Sequence, residues 1–299
     1  MTDAGSTLPR HLYVHVPLCR AKCAYCDFFS LTPDEIAASP DAIVDALVNQ
    51  TRAWAERGLE PAGLDTLYIG GGTPTMLGDG LATLVSALAI WAGVGPDAEI
   101  TIEANPESLS RSLVELLAMA GVTRVSLGVQ SFDDGELALL GRLHDGQRAQ
   151  EAARWVAEAG LELGVDIMCG LPGQPMTSWR ETLVRAVETG AGHISVYPLS
   201  LEGGTPLAAA VLIGDVPEPD DDLVADMLLE AENLLGEAGL ARYEVANYAR
   251  PGLESRHNTA YWTGAEYLGV GPGAHGMLDA RTARAAGFVV PGESARVRY

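Results

Sequence analysis

The sequence is poor in positive charge, in cysteine and in long apolar runs. Against 40 Asp and Glu it sets 19 Lys and Arg, a formal net charge of −21. A nucleic-acid binder needs a basic stripe to meet phosphates, and anionic lipid asks for the same. The charge therefore argues against both partner classes. The acidic residues are spread along the chain, which reads as a solvated acidic surface. The longest uncharged stretch, Leu81 to Pro96, includes Thr83, Ser86 and several small residues. It is too short and too mixed for a transmembrane segment and reads as a buried helix. Four cysteines in 299 residues, with no secretory signal before them, leave no disulfide framework and imply a reducing cytoplasm. Internal repeats, low-complexity tracts and the G-x-G-x-x-G spacing of a Rossmann fold are absent too.

Three of those few cysteines, Cys19, Cys23 and Cys26, fall in one run, HVPLCRAKCAYCDFF. A structural zinc site takes four protein ligands, commonly from two paired motifs, and no second pair exists. His15 or Asp27 could complete a tetrahedron, which keeps zinc as an alternative. Cysteine thiolates are the usual holders of iron–sulfur clusters, and the C-x3-C-x2-C spacing suits a loop around one cubane. Three ligands leave one iron open to a small molecule.

At 47% hydrophobic the chain can bury a full core. Short β-rich runs alternate with helical patterns. The candidate strands are Leu12–Val16, Thr66–Ile69, Glu99–Glu103, Arg124–Gln130, Leu163–Met168, His193–Tyr197 and Arg242–Ala246. Ile43, Leu47 and Trp54 mark the first long helix. Ser178 with Glu181 makes a capping box that opens a helix running to Glu188. Gly121, Gly160 and Gly190 stand where helices should end. Strand–helix alternation repeated about six times implies parallel strands with right-handed crossovers, in an open doubly wound sheet or a full or partial β/α barrel. In either, ligands bind at the carboxyl ends of the strands. From Gly276 onward the pattern fades, as though the chain stops partway into another element.

The notable residues cluster at those strand ends. Gly70-Gly71-Gly72-Thr73-Pro74 lets backbone approach a ligand, and its N–H groups can meet an anionic or carboxylate group. Glu103 suits a ribose hydroxyl or an ammonium group, or serves as a helix N-terminal acid. Gln130, Arg142 and Asp166 are polar groups near other strand ends that a polar cofactor could satisfy. Cys169 reads as a small buried residue. His257, in HNTAYW with Tyr261 and Trp262, is either a satisfied structural histidine or an exposed one that ligates heme iron.

The run LYVHVPLCRAKCAYCDFFS, with YIGGGTPTML, ITIEANPES, RVSLGVQSFDD, LLGRLHD, DIMCGLPGQ, HNTAYW and YLGVGPGAHG, resembles the radical S-adenosylmethionine (SAM) enzymes. More narrowly, it resembles their group of oxygen-independent coproporphyrinogen III oxidases and heme chaperones, from about Leu12 to Gly276. The resemblance implies a partial (β/α)6 barrel of the α/β class and a 4Fe–4S cluster on Cys19, Cys23 and Cys26. It implies S-adenosylmethionine on the open iron, with Tyr13, Gly71, Gly72, Thr73 and Glu103 at contacting positions. Tyr25, Gln130, Arg142 and Asp166 match positions that meet a second molecule of it in the oxidase.

Where the oxidases place a fourth cysteine, two residues after the third, this chain has Phe28. It also lacks their long amino-terminal arm, with twelve residues before Tyr13, and it carries the H-N-x-x-Y-W motif of the chaperones. The expectation is therefore a cytoplasmic heme chaperone that delivers heme to recipient haemoproteins, with His257 as a heme contact. The alternative is a radical enzyme removing two propionate carboxyls from coproporphyrinogen III, and a third reading is a zinc-bound β/α hydrolase. Residues 1–240 would form the barrel core, and 241–299 the start of a carboxyl-terminal region that the family continues and this chain truncates.

Overall fold

The computed structural model describes residues 8–61, 63–292 and 294–299. Six strands follow the expected alternation: β1 (His11–Val16), β2 (Thr66–Gly71), β3 (Glu99–Ala104), β4 (Arg124–Gln130), β5 (Glu162–Cys169) and β6 (His193–Pro198). They lie side by side in that order, all parallel. Helices α1 (Pro40–Glu56), α2 (Gly80–Trp91), α3 (Arg111–Met119), α4 (Asp134–Leu139), α5 (Gly146–Glu158) and α6 (Met176–Glu188) fill the crossovers. After β6 come α7 (Pro206–Leu212) and α8 (Asp221–Glu237). The sheet does not close on itself. It is a partial β/α barrel, as expected.

Period-two alternation explains how the barrel is filled. Leu12, Val14 and Val16 of β1, Leu67 and Ile69 of β2, Ile100 and Ile102 of β3 and Val125, Leu127 and Val129 of β4 all join one core. Leu163, Val165 and Ile167 of β5 and Ile194 and Val196 of β6 continue it. These residues face outward, against Leu47 of α1, Leu84 and Leu88 of α2, Leu117 of α3, Val156 of α5 and Leu183 of α6. The alternate positions face the lumen, and nearly all of them are polar, aromatic or glycine. An ordinary β/α barrel packs its interior with branched aliphatics. This one keeps its lumen for something polar.

Two expectations are corrected. The strand expected at Arg242–Ala246 is a hairpin, β7 (Ala241–Arg242) turning back into β8 (Asn247–Ala249), which pairs antiparallel with β6. Glu244 sits in the turn and accepts from the Ala246 N–H and the Asn247 side chain, which interrupts the ladder. Helix α6 starts at Met176 with Pro175 in the cap position, three residues before the expected cap at Ser178. Ser178 instead donates its hydroxyl to Glu136 Oε1 at 2.6 Å. Beyond Gly276, where the sequence pattern fades, the described residues include β10 (Met277–Asp279), α10 (Ala280–Ala285) and β11 (Arg296–Arg298). Before them α9 (Arg256–Trp262) leads into β9 (Tyr267–Val270), which pairs parallel with β1 on the side away from β2. Gly121, Gly160 and Gly190 do follow helices with positive φ.

Trp179 of α6 is wholly buried and donates its indole N–H to the Met227 carbonyl of α8 at 2.8 Å, which fixes α8 on the barrel. Trp179→Ala is expected to cost about 3–5 kcal/mol, read as a fall in the denaturant midpoint.

Candidate functional site

The lumen opens as one cavity of about 580 Å³. Tyr13, Cys19, Cys23, Tyr25, Cys26, Gly71, Gly72, Glu103, Gln130, Arg142, Asp166 and His257 all line it. Thr73 sits just behind, its hydroxyl 3.6 Å from Cys19 Sγ and accepting from Asn105 Nδ2 at 3.0 Å. Residues spread over more than two hundred positions of sequence thus meet at one place.

The three cysteines lie on the loop after β1, and the loop is held at several points. Its ends are tied by Leu31 N–H to Pro17 O (2.7 Å) and Cys19 N–H to Leu31 O (3.0 Å). Between the cysteines, Ala24 donates to Leu140 O and accepts from Leu207 N–H. The three thiols are half-exposed, while Cys169 is buried and its thiol pKa is pushed up to about 12 by burial. Burial also raises the Cys26 thiol, and its neighbours Cys23 and Cys19 add to the shift. Arg142 Nη1 donates to Cys23 Sγ at 3.4 Å. His15 does not join them: its Nδ1 meets Tyr13 OH at 3.0 Å and its Nε2 meets Phe29 O at 2.8 Å. Both nitrogens are taken, which removes it as a fourth zinc ligand.

The triple glycine works differently from the reading that its N–H groups face a ligand anion. Gly71 N–H donates to the chain's own Glu103 Oε2 at 3.0 Å, and Gly72 N–H donates to Val16 O. What the glycines provide is room. A Cβ on Gly71, whose φ is +109°, would lie 2.7 Å from the His15 ring, and one on Gly72 would lie 2.5 Å from Leu18 O. Their bareness lets β2 lie directly against the cysteine loop. Glu103 is not a helix N-terminal acid. Its Oε1 accepts from Tyr68 OH at 2.7 Å, and enclosure by protein raises its pKa to about 7 against the pull of that bond.

On the opposite wall, Arg142 Nη2 donates to Asn105 Oδ1 (2.7 Å) and Gly128 O (2.6 Å), while its buried Nε has no partner among the described residues. Gln130 closes β4 at a register shift with φ of 67°. A non-glycine residue held there costs on the order of 1–3 kcal/mol, and such residues cluster at ligand-binding and active sites. Asp166 accepts from Ser126 Oγ at 2.9 Å, and burial raises its pKa. Burial raises the Tyr25 phenol as well.

The Radical SAM superfamily profile matches residues 13–186. The chain belongs to the radical SAM superfamily. Heme chaperone HemW of Mycobacterium tuberculosis is 41% identical over 273 residues, covering 90% of this chain and 70% of the relative. Heme chaperone HemW of Escherichia coli is 38% identical over 276 residues, again 90% and 70%. Among solved structures, coproporphyrinogen III oxidase (HemN) of Escherichia coli superposes with a TM-score of 0.76 at 26% identity, over 90% of this chain and 64% of that one.

Radical SAM membership implies a 4Fe–4S cluster and S-adenosylmethionine. The chemistry of the donor set suits both: three half-exposed thiols on one clamped loop, although among the described residues they are not gathered into a metal-holding cluster, and a carboxylate oriented by Tyr68 and Gly71 on the wall of the same cavity. No helix among the described residues is long and apolar enough to cross a membrane.

His257 departs from the expectation of an exposed heme ligand. It is buried, with 1% of its surface exposed. Nδ1 meets Thr66 Oγ1 at 2.6 Å, Nε2 meets Tyr261 OH at 2.9 Å, and the ring stacks on Tyr68 at 5.1 Å. Burial lowers its pKa to about 3. A ligand's lone pair is not on offer. Tyr68, Asn105, Ser126 and His193 were missed as site residues, although each occupies an inward position or a strand end that the alternation marks.

Glu103 yields a pH prediction. Its folded pKa of about 7 stands above the usual 4.5, so the folded chain holds this proton more firmly than the unfolded one. Its contribution to stability is fullest below about pH 4.5 and is lost as pH rises through about 7, by on the order of 3 kcal/mol. Neutral His257 and His193 act in the opposite sense, since their pKa values are lowered. The measurement is therefore a difference: cofactor-free Glu103→Gln should gain stability relative to wild type between pH 5 and pH 8 in urea titrations.

Proposed function

We propose that the chain is a heme carrier: it binds heme at the mouth of the cavity and passes it to haemoproteins in a reducing cytoplasm. Cys19, Cys23 and Cys26 would hold the cluster. Tyr13, Gly71, Gly72, Thr73 and Glu103 would hold S-adenosylmethionine, with Glu103 receiving its ammonium group. When bound, the cluster supplies one electron at a time to that cofactor. The protein's own part is to orient and to exclude water. Tyr68 and Gly71 aim the Glu103 carboxylate, and the Ala24 clamps hold the cysteine loop on the wall of the same cavity. Arg142 brings a positive charge beside Cys23.

Phe28 is the observation that carries this reading over the oxidase. Two places after Cys26, it puts an apolar ring on the rim of the cavity, 65% exposed. Leu143 and Tyr197 line the same rim and are also exposed. Flat apolar and aromatic surface there suits a macrocycle face. The relatives named heme chaperones support the same reading, at higher identity than the oxidase.

The deciding experiment offers anaerobically reconstituted protein coproporphyrinogen III and, separately, heme. Heme retained through gel filtration, with no decarboxylated product from the porphyrinogen, is the expected result. Steady product formation would replace the carrier with the oxidase. Phe28→Ala should weaken heme binding about five- to tenfold, an aromatic contact being worth about 1 kcal/mol, and should leave S-adenosylmethionine affinity unchanged.

A further inference from the structure

We propose that the H-N-x-x-Y-W segment is the floor of the cofactor cavity, and that His257 is a positioning residue holding Tyr68 against Glu103. The proposal rests on the reading that Glu103 receives the cofactor's ammonium group.

The segment is fixed from below. Glu99 accepts the backbone N–H groups of Arg256 (2.8 Å) and His257 (3.0 Å), and Ser255 Oγ accepts from Asn258 N–H at 3.3 Å. With the backbone anchored, two side chains rise into the lumen. The Asn258 amide donates to Tyr243 OH at 3.2 Å, and that hydroxyl meets His193 Nε2 at 2.9 Å. Asn258 thus supports the β6 wall. His257 supports the β2 wall: Thr66 and Tyr261 grip its two nitrogens, and its face lies against Tyr68 with only 26° between the ring planes. Both grips stop the imidazole from turning, so the stacked face is a fixed backstop for the Tyr68 ring. Tyr68 in turn delivers its hydroxyl to Glu103.

This backstop matters because Glu103 has few groups that favour its anion. Asp166 from β5, Tyr13 from β1, Tyr197 from β6 and Tyr261 from α9, a carboxyl and three phenols, lie near enough to feel its charge. The Tyr68 hydroxyl and the Gly71 N–H are the two donors that stabilise the charge. If the imidazole is removed, Tyr68 gains room to swing, and the carboxyl should become harder to ionise.

The Glu103 carboxyl can be followed by carbon-13 NMR in the cluster-free chain, alongside S-adenosylmethionine affinity by equilibrium dialysis in the reconstituted protein. His257→Leu and Tyr68→Phe should each raise the Glu103 midpoint above that of wild type. The double variant should raise it no further than Tyr68→Phe alone, since both act through one bond. Affinity near neutral pH should fall about tenfold for each unit of rise, while heme affinity stays at the wild-type level. Tyr261→Phe, which removes one grip and no ring, should give a smaller shift and serves if His257→Leu folds poorly. An unchanged midpoint in folded His257→Leu or Tyr261→Phe, or additive shifts in the double variant, would overturn the proposal. So would heme affinity falling while the midpoint stays put. If Glu103→Gln binds S-adenosylmethionine as tightly as wild type, the premise about the ammonium group fails, and the NMR midpoints still decide the role of His257.

Discussion

A sheet with its apolar side chains turned outward and its polar ones turned inward governs this molecule. The outward face alone supplies the packing against the helices. The inward face therefore contributes little hydrophobic stabilisation, and its polar groups must bond one another or a guest. They do much of this among themselves: Tyr68 with Glu103, Ser126 with Asp166, His193 with Tyr243, Thr66 with His257. Among the described residues Arg142 Nε, His193 Nδ1 and Asn247 Oδ1 keep no such partner and stay available to a guest. The cavity is a consequence of which residues face inward.

The cysteine loop and the barrel are not independent parts. Bare backbone at Gly71 and Gly72 lets β2 touch the loop, His15 ties Tyr13 to the Phe29 carbonyl, and Ala24 is held from both sides by residues after β4 and β6. Any movement of the thiols is therefore shared with the strand ends that carry Tyr13 and Glu103. Electron source and organic cofactor would be held in one frame.

Much of this was legible before any coordinates. The apolar alternation located β1 to β6 within two residues at each end, because period two is a strong signal where one face must be covered. Cys19, Cys23, Cys26, the glycine run, Glu103, Gln130, Arg142 and Asp166 were readable as candidates from spacing and place, and Tyr13 and Tyr25 from the resemblance. Two local misreadings have a shared cause. At Arg242–Ala246 the turn depends on how Glu244 bonds its neighbours, and at Ser178 the hydroxyl is claimed by Glu136, distant in sequence. His257 was misplaced for the same reason. A histidine among aromatics looks exposed in one dimension, and only the fold reveals that Thr66 and Tyr68 close over it. The polar members of the alternating pattern, Tyr68 and Ser126 among them, were in view all along and pointed to a wet lumen.

The two borders of the parallel sheet end alike. On one side β9 is followed by the antiparallel pair β10 and β11, and on the other β6 by β8 and β7. The outermost strands are three and two residues long. Such short margins expose little unpaired backbone on which a foreign strand could grow. An incompletely closed barrel has two borders where a closed one has none, and among the described residues each border ends in a strand of two or three residues. Brevity at both margins limits the unpaired backbone that these strands offer to a neighbour.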